Sequence, residues 1–485
     1  MKLGLAMLAV SAAAGLAPAA ARAETACAEL AKTALPHAQV TAAQLETLPS
    51  GQACRIEVTS RPTPDSDIGI EVLIPVGAAW NGKFVQLGNG GLGGVIPVAA
   101  IKARASAGYA AAGTDDGHRA DNHIGSWAEG HPEKLRDYAI RSLKETTVAG
   151  KALVAAMKGE AARRSYFVGC SAGGREALME AQRFPDDFDG IVAGAAANYY
   201  TLQTGGRAYI MQALAKPGAY LGPVDLQLLQ SAALRTCADG GAFIRDQLAC
   251  GFDPAALACK TGQSQGCLTG PQIAAAHALY GGRPGPDGKP VFPAYTPGAD
   301  AAPGSFQAWI TGTSSATMSV SNGYMYASQA MKYFIYGDPA FDMLKADVGA
   351  KFDRDRRAPA RLLDAVDPDL SAFRKHGGKL IQYHGWNDPA VPPLGSIRYQ
   401  SELRRAMGDI GDFHRLYMIP GMLHCGGGAG PSGVDWLGLL DRWVEDKAAP
   451  AELTASAPSG ETQTLCPYPG VADGSGACRR PRAKS

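Results

Sequence analysis

The fold is decided by ten residues, SYFVGCSAGG at positions 165–174. The first five are typical of a buried strand, and a helical pattern begins near Gly174 and runs to about Arg183. A serine between small residues, placed where a strand turns into a helix, matches the nucleophile elbow G-x-S-x-G. We therefore predict that Ser171 is a nucleophile and that the backbone N–H of Ala172 helps to stabilise an oxyanion. The alternative is a chance Gly-Ser-Gly turn.

Short strands and amphipathic helices alternate on both sides of this turn. Runs typical of strands cover residues 68–74, 83–87, 109–112, 190–194, 379–383 and 414–419. Helical patterns cover about residues 132–158, 360–376, 394–407 and 434–447. The alternation predicts an α/β-hydrolase fold with a mostly parallel sheet flanked by helices.

One long segment interrupts the alternation. Residues 201–353 hold four of the ten cysteines and many turns rich in Gly, Pro and Asp. This composition predicts an inserted, disulfide-braced lid domain. The predicted division is a signal peptide over 1–23, a first part of the catalytic domain over 24–200, the lid over 201–353 and a second part of the catalytic domain over 354–485.

Two later loops carry the partners that a serine nucleophile needs. Asp388 follows the strand at 379–383, and His424 follows the strand at 414–419. A histidine base takes the serine proton and a carboxylate orients that base, and the chain order Ser, Asp, His is that of α/β-hydrolases. The sequence therefore predicts a triad of Ser171, Asp388 and His424. The alternative for His424, a structural histidine, fits its Gly-rich loop less well.

Charge excludes several classes of partner. The 485 residues contain 46 Lys and Arg against 45 Asp and Glu, a formal net charge of +1. Such a chain has no basic field to hold a phosphate backbone or an anionic bilayer, so we expect no nucleic acid and no membrane as a partner. We expect a small-molecule substrate and favour a monomer.

The first 23 residues have the pattern of a secretory signal peptide. Lys2 precedes an apolar stretch from Leu3 to about Leu16, and Ala21-Arg22-Ala23 has the small residues of a cleavage site. A membrane anchor is the alternative, but the run is short and is broken by Pro18. We expect a secreted or periplasmic protein whose mature chain starts near Glu24.

The ten cysteines suggest five disulfides, because their number is even and the chain is predicted to be exported. A zinc site is the alternative, but the sequence contains no CxxC or HxxxH spacing, which such a site would favour. Proximity in sequence suggests the pairs Cys27 with Cys54, Cys237 with Cys250, Cys259 with Cys267 and Cys466 with Cys478, which leaves Cys170 and Cys425. A bridge between these last two would hold the neighbours of Ser171 and His424 with their Cα atoms roughly 4.4 to 6.8 Å apart.

Seven groups of residues resemble the tannase and feruloyl esterase family, which includes a branch that hydrolyses terephthalate monoesters. They run over most of the predicted catalytic domain: WNGKF (80–84) with GNGG (88–91), GY (108–109) with TDDGH (114–118), GSW (125–127) with GHPEK (130–134), GCSAGGR (169–175), FPDDFDGI (184–191), YHGWND (383–388) and PGMLHC (420–425).

The resemblance implies a reaction and the residues that perform it. It implies hydrolysis of carboxylic esters of aromatic acids, with feruloyl, galloyl or terephthaloyl groups, by the triad of Ser171, Asp388 and His424. It also implies a disulfide between Cys170 and Cys425, and a second oxyanion donor from the Gly90-Gly91 loop beside Ala172. No cofactor is expected for catalysis.

The lid of that family usually binds calcium through an acidic loop between two cysteines. Here the loop from Cys237 to Cys250 is shorter and holds only Asp239 and Asp246 as carboxylates. Ca²⁺ takes six to eight oxygen ligands, so a structural Ca²⁺ on these two aspartates is doubtful. The alternative is a solvated turn closed by a disulfide.

Substrate selection is expected to depend on lid side chains. An arginine facing a free carboxylate would favour a terephthalate monoester, and Arg207 and Arg245 are the candidates. Seven aromatic residues are candidates to stack on an acyl group, with membership of the core as the alternative: Tyr199, Tyr200, Trp309, Tyr324, Tyr326, Tyr333 and Phe334.

Two other functions remain open at this point. A catalytically silent protein on the same fold would hold an aromatic ligand under its lid, although the intact triad argues against it. A serine peptidase on the same scaffold would reveal itself by cleaving an anilide matched to an ester substrate.

Overall fold

The computed structural model describes residues 19–473 and 475–479. Residues 1–18 of the predicted signal peptide lie outside the described residues, and residues 19–23 belong to the first helix, α1 (Ala19–Glu29). Along the described chain, no helix is both long and apolar enough to cross a membrane.

Nine strands form one sheet in the order β1-β2-β3-β5-β4-β6-β7-β8-β9. They are β1 (Ala38–Leu48), β2 (Gly51–Ser60), β3 (Ile68–Pro75), β4 (Lys83–Leu87), β5 (Ala110–Thr114), β6 (Arg164–Cys170), β7 (Gly190–Gly194), β8 (Lys379–Gly385) and β9 (His414–Ile419). The pairs from β1 to β3 and between β3 and β5 are antiparallel. The pairs from β5 through β4 to β9 are parallel. The predicted mostly parallel sheet is thus confirmed, with an antiparallel N-terminal extension, β1 and β2, that was not predicted.

Helices cover both faces of this sheet, as the near-continuous burial of its parallel strands requires. The α-helices after α1 are α2 (Val98–Ser106), α3 (Pro132–Arg136), α4 (Ser142–Lys158), α5 (Ala172–Arg183), α6 (Tyr200–Leu214), α7 (Pro223–Cys237), α8 (Gly270–Gly281), α9 (Asn322–Gln329), α10 (Ala350–Asp355), α11 (Arg357–Leu363), α12 (Ser371–His376), α13 (Leu394–Met407) and α14 (Trp436–Asp446). One apolar core joins α4, α5 and α13 to the sheet, and a second joins α2 and α14.

Two predicted helices are interrupted. The prediction of one helix over residues 360–376 is wrong, since α11 ends at Leu363 and α12 begins at Ser371. Pro368 lies in the gap, and a proline removes a backbone donor and disfavours helical geometry in the preceding residue. The pattern over 132–158 forms α3 and α4, joined by a π-helical turn at Asp137–Arg141.

The segment between β7 and β8 forms α6 to α12 and contains the predicted lid, and we call it the helical segment. Its apolar side chains pack in a cluster of their own, which includes Leu226, Leu279 and Ile310 and draws its buried members from residues 208–352. A separate core of this kind agrees with an inserted domain. The boundaries of the lid at 201 and 353 stay a prediction.

All ten cysteines are paired in disulfides, with the partners that the sequence suggests. The pairs are Cys27–Cys54, Cys170–Cys425, Cys237–Cys250, Cys259–Cys267 and Cys466–Cys478. The last of them braces two small hairpins near the C-terminus, β10 (Leu453–Ser456) with β11 (Thr462–Leu465) and β12 (Val471–Ala472) with β13 (Cys478–Arg479).

The parallel strands place the predicted site. Carboxyl ends of parallel strands meet at one edge of the sheet, where open α/β sheets bind their ligands. The loops after β4, β6, β8 and β9 therefore lie together, and they carry the predicted oxyanion, nucleophile, carboxylate and base residues.

Candidate active site

Ser171 forms the sharp turn between β6 and α5. Its backbone has φ 65° and ψ −121°, a conformation that L-residues rarely adopt. The turn is tight enough that a Cβ at Gly169 would lie 2.2 Å from the Gly173 carbonyl oxygen, and a Cβ at Gly174 would lie 2.2 Å from that of Gly194. The small residues of the predicted elbow are therefore required by close backbone approaches.

Asp388 is buried in the loop after β8, and its two oxygens receive four N–H groups, one of them from His384. Oδ1 accepts the backbone N–H groups of Ala390 at 2.7 Å and Val391 at 2.8 Å. Oδ2 lies 2.8 Å from Nδ1 of His424. Burial alone raises the pKa of Asp388, but the charge of His424 and the hydrogen bonds from His384 and His424 outweigh it, so the pKa lies below its usual range. Asp388 is therefore an ionised carboxylate.

His384 is a second histidine on this carboxylate, and sequence reasoning missed it. Its Nε2 lies 3.2 Å from Asp388 Oδ2 and 3.0 Å from the carbonyl oxygen of Val391, while its Nδ1 lies 2.8 Å from the Ser396 hydroxyl. Two acceptors at Nε2 require that nitrogen to carry the proton. The signal in the sequence was its place at the end of β8, four residues before Asp388.

His424 lies in the loop after β9 beside the cavity. Its ring meets the edge of Trp309 with 5.1 Å between ring centroids. The next residue, Cys425, is bonded to Cys170, and their Cα atoms are 6.0 Å apart. Because Cys170 directly precedes Ser171, this disulfide ties the nucleophile turn to the histidine loop.

A cavity opens over Ser171 between the sheet edge and the helical segment. Gly91, Ser171 and Ala172, from the loops after β4 and β6 and the start of α5, line this cavity. Three of the seven candidate aromatic residues also line it: Tyr200, Trp309 and Tyr326. The other four pack elsewhere, Tyr199 on Phe292, Tyr324 in the core of the segment, and Tyr333 and Phe334 in the cluster around Tyr138.

The two glycines of the predicted oxyanion loop differ in their surroundings. The Gly90 N–H donates to the Asn89 side chain at 2.8 Å, so this donor is already engaged. Gly91 has φ 58° and lines the cavity with Ala172. A Cβ at Gly91 would lie 2.8 Å from the Tyr326 hydroxyl oxygen, so only glycine fits there. Of the two candidate donors, Gly91 lines the cavity and the Gly90 N–H is engaged by Asn89.

Arg207 of α6 brings a positive charge into the cavity wall. It is buried, one of its terminal nitrogens donates to the carbonyl oxygen of Ala390, and its Nε has no hydrogen-bond partner. None of the ion pairs in the described chain includes Arg207. Arg245, the other candidate, is exposed, pairs with Glu461 at 2.8 Å and lines a different cleft.

The two candidate calcium ligands, Asp239 and Asp246, lie in an exposed turn closed by the Cys237–Cys250 disulfide. One oxygen of Asp246 accepts the backbone N–H groups of Leu248 and Ala249, both at 3.1 Å. Within residues 19–473 and 475–479, no group of three or more His, Cys, Asp or Glu side chains is arranged to hold a metal ion. The local geometry is that of an Asx turn.

Comparisons with known proteins relate most of the chain to a family of esterases. The model of the family described as tannase and feruloyl esterase matches residues 54–484. An uncharacterized esterase of Xanthomonas campestris pv. campestris is 34% identical over 514 residues, covering 93% of this chain and 88% of that protein. Feruloyl esterase B of Aspergillus niger is 30% identical over 447 residues, covering 86% of this chain and 82% of that protein. The crystal structure of feruloyl esterase B from Aspergillus oryzae superposes with a TM-score of 0.83 at 26% identity, covering 92% of this chain and 96% of that chain.

Proposed function

The chain belongs to the tannase and feruloyl esterase family and is a carboxylic ester hydrolase, and from this premise we propose that it acts through Ser171, His424 and Asp388. The observation that carries the proposal is the 2.8 Å contact between His424 and Asp388, on a loop that a disulfide ties to the Ser171 turn. The family assignment favours an ester hydrolase over the two alternatives, a silent binding protein and a peptidase.

Each residue has one task in the proposed mechanism. His424, oriented by Asp388, takes the hydroxyl proton of Ser171 as the oxygen attacks the ester carbonyl. The backbone N–H groups of Ala172 and Gly91 stabilise the oxyanion of the tetrahedral intermediate. The protonated His424 then gives its proton to the leaving alcohol. A water activated by the same histidine releases the acid from the acyl-enzyme.

The cavity supports an aromatic acyl group. Tyr200, Trp309 and Tyr326 surround the space above Ser171, and aromatic rings pair favourably in stacked or edge-to-face arrangements. Among feruloyl, galloyl and terephthaloyl groups, we propose the terephthaloyl monoester as the preferred substrate. Its free carboxylate would pair with Arg207, a buried cation whose Nε has no hydrogen-bond partner.

Initial rates on three esters test this assignment: methyl ferulate, methyl gallate and the mono(2-hydroxyethyl) ester of terephthalic acid. The highest kcat/KM is expected for the terephthalate monoester. Turnover of methyl ferulate or methyl gallate alone would keep the esterase mechanism and reject the carboxylate preference. Turnover of none by folded, disulfide-bonded protein would reject the aromatic-ester assignment.

Arg207→Gln is expected to change the choice of substrate. A charge-assisted hydrogen bond contributes about 1.5 to 3 kcal/mol, so kcat/KM for the terephthalate monoester should fall about 10- to 100-fold more than that for methyl ferulate. Steady-state kinetics of both esters measure the ratio. Arg245→Gln is the matched control, because that arginine is exposed and lies outside the cavity. An equal loss on both esters in Arg207→Gln would contradict the proposed carboxylate contact.

The Cys170–Cys425 disulfide is expected to position the nucleophile against the base. Displacing a catalytic group by about 1 Å costs about 100-fold in rate, so Cys170→Ala/Cys425→Ala should lower kcat by about that factor. The control is Cys259→Ala/Cys267→Ala, which removes a bridge between cysteines eight residues apart within the helical segment. Kinetics and thermal unfolding of both double variants distinguish a positioning role from a purely structural one. A loss of stability with full kcat would limit the Cys170–Cys425 bridge to a structural role.

We also propose that the protein works outside the cytoplasm. Five disulfides are the main support, because they persist in oxidising compartments. The N-terminal signal pattern supports the same conclusion. The monomeric state stays a prediction.

A further inference from the structure

The carboxyl group of Glu176 lies beneath the loop that follows β4. Glu176 is fully buried on α5, five residues after Ser171. Its Oε2 accepts the backbone N–H of Asn89 at 2.9 Å. The loop rests directly on the helix here, because a Cβ at Gly88 would lie 2.6 Å from the Cα of Gly173 and 2.9 Å from Glu176 Oε2. One helix therefore carries both the nucleophile turn and a support for this loop.

Asn89 transmits that support to the two glycines. Its side-chain oxygen accepts the Gly90 N–H at 2.8 Å, and its side-chain nitrogen donates to the Thr114 carbonyl oxygen at 2.9 Å. Gly90 and Gly91 have no side chains to hold them in place, so the conformation of this stretch depends on backbone contacts and on Asn89. The hydrogen bond from the Tyr138 hydroxyl to the Gly91 carbonyl oxygen, at 3.1 Å, holds the far end.

A second buried carboxyl group faces Glu176. Asp116 is fully buried after β5, and its Oδ1 lies 3.3 Å from the Ser142 hydroxyl. The neighbouring cation is Arg175, whose guanidinium lies 3.9 Å from Glu176 and donates to the carbonyl oxygens of Ala139 and Tyr138. Burial is the largest influence on both carboxyl groups and raises the pKa of each, and the charge of Glu176 raises that of Asp116 further. Of the two carboxyl groups, Glu176 is the one that faces the loop, since its Oε2 accepts the Asn89 N–H.

Resting on the proposed roles of Gly91 and Ala172, we propose that Glu176 is a positioning residue, whose carboxyl group holds the Asn89-Gly90-Gly91 loop on α5 and so keeps the second oxyanion donor in place. An oxyanion donor must be held within about 0.5 Å of its productive position. The donor from Ala172 belongs to α5 itself, whereas the donor from Gly91 comes from the loop after a separate strand. Glu176 links the two, since it lies on α5 and its Oε2 accepts the Asn89 N–H of the loop.

Glu176→Leu tests this role, with Glu180→Leu as its matched control. Glu180 is equally buried one turn later on α5, and neither of its oxygens has a hydrogen-bond partner. Loss of one oxyanion donor costs about 100- to 1000-fold, so a displaced donor in Glu176→Leu should lower kcat about 10- to 100-fold with little change in KM. Glu176→Gln keeps an acceptor oxygen for Asn89 and should retain most of kcat.

Phenylboronic acid provides the readout that a purely structural role would not change. It forms a tetrahedral adduct on a serine nucleophile, so its affinity should fall in Glu176→Leu by about the same factor as kcat/KM. The affinity for the benzoate anion, which is planar, should stay as in the wild type. Equal losses of kcat in Glu176→Leu and Glu180→Leu, or unchanged boronate affinity in Glu176→Leu, would overturn the proposal.

Two further variants, Asn89→Ala and Ser171→Ala, complete the experiment. If Glu176→Leu does not fold, Asn89→Ala takes its place, because it removes the bonds to Gly90 and Thr114 and should show the same loss of kcat and boronate affinity; wild-type values would overturn the proposal. Ser171→Ala separates this inference from the proposed function. Boronate binding to wild type that Ser171→Ala does not abolish would reject the proposed nucleophile, whereas Ser171-dependent binding that Glu176→Leu leaves unchanged would reject only the role of Glu176.

Discussion

Ser171→Ala is expected to lower kcat for aromatic esters by about 10⁴- to 10⁶-fold while the fold and all five disulfides persist. The Ser171 oxygen forms the covalent bond to the acyl group, and no neighbouring hydroxyl is placed on the same turn to replace it. The substitution removes one atom and keeps the Cβ, so the close approaches around Gly169 and Gly174 are unchanged. Initial rates and thermal unfolding of the purified variant measure both parts.

Ser231→Ala is a suitable control for this loss. Ser231 lies on α7, within the helical segment, where its hydroxyl contacts Gln227 at 3.1 Å. Its removal should leave kcat within about twofold, as for most substitutions away from a site. A Ser171→Ala enzyme that retained more than about one per cent of kcat would contradict covalent catalysis by this serine.

The sheet was largely predictable because its strands have a local signature. The predicted strand over 414–419 coincides with β9, and that over 190–194 coincides with β7. Both are short and mostly apolar, and both are bounded by turn residues. β1 and β2 were not predicted, because both mix exposed and buried residues and lack such a signature. β2 joins the sheet by pairing with β3, and β1 joins it by pairing with β2, contacts that a local pattern does not contain.

From the sequence, only the loops that carry the site residues could be predicted. Ser171, Asp388 and His424 each follow a strand, so the sequence alone assigns their loops to one edge of a parallel sheet. The sequence did not indicate where the side chains of Glu176 and Arg207 point. Both lie on helices whose patterns do not distinguish a core residue from one that supports a loop or lines a cavity.

His384 shows the same limit at the end of a strand. Its side chain reaches Asp388 Oδ2 only because the loop after β8 turns back upon the strand, with the Asp388 N–H donating to the Gly385 carbonyl oxygen at 3.2 Å. A histidine at a strand end is compatible with many roles, so the contact had to be observed. The contact between His384 and Asp388 adds to the expected effect of an asparagine at position 388.

Asp388→Asn is expected to lower kcat about 10⁴-fold at neutral pH, because an amide no longer favours the histidine tautomer that accepts the Ser171 proton. The surroundings make this position unusually intolerant of the change. Oδ2 receives N–H groups from both His424 and His384, and Oδ1 receives two backbone N–H groups. An asparagine has one oxygen, so its NH₂ group must face donors on one side and lose those bonds.

The pH dependence of the two enzymes should differ in a defined direction. The pKa of Asp388 is depressed in the folded protein, so its ionised form stabilises the fold above the ordinary aspartate pKa, and this stability is lost only as pH falls through the depressed value. A loss of wild-type rate between about pH 7 and pH 4 should therefore not report protonation of Asp388. In Asp388→Asn the low rate should rise with pH, as the mispositioned imidazole gives way to hydroxide-assisted attack. Rate profiles between about pH 4 and pH 9 measure this.

Asp364→Asn is the matched control, since Asp364 is also a buried aspartate that accepts two hydrogen bonds, from the N–H and the hydroxyl of Thr201 at 2.8 and 2.9 Å. Burial raises the pKa of Asp364 to about 6, the opposite direction to Asp388, because no histidine charge compensates its desolvation. Its amide should therefore cost little in kcat. If the two variants lost kcat equally, the effect at Asp388 would be one of buried packing, and the orientation of His424 by this carboxylate would have to be abandoned.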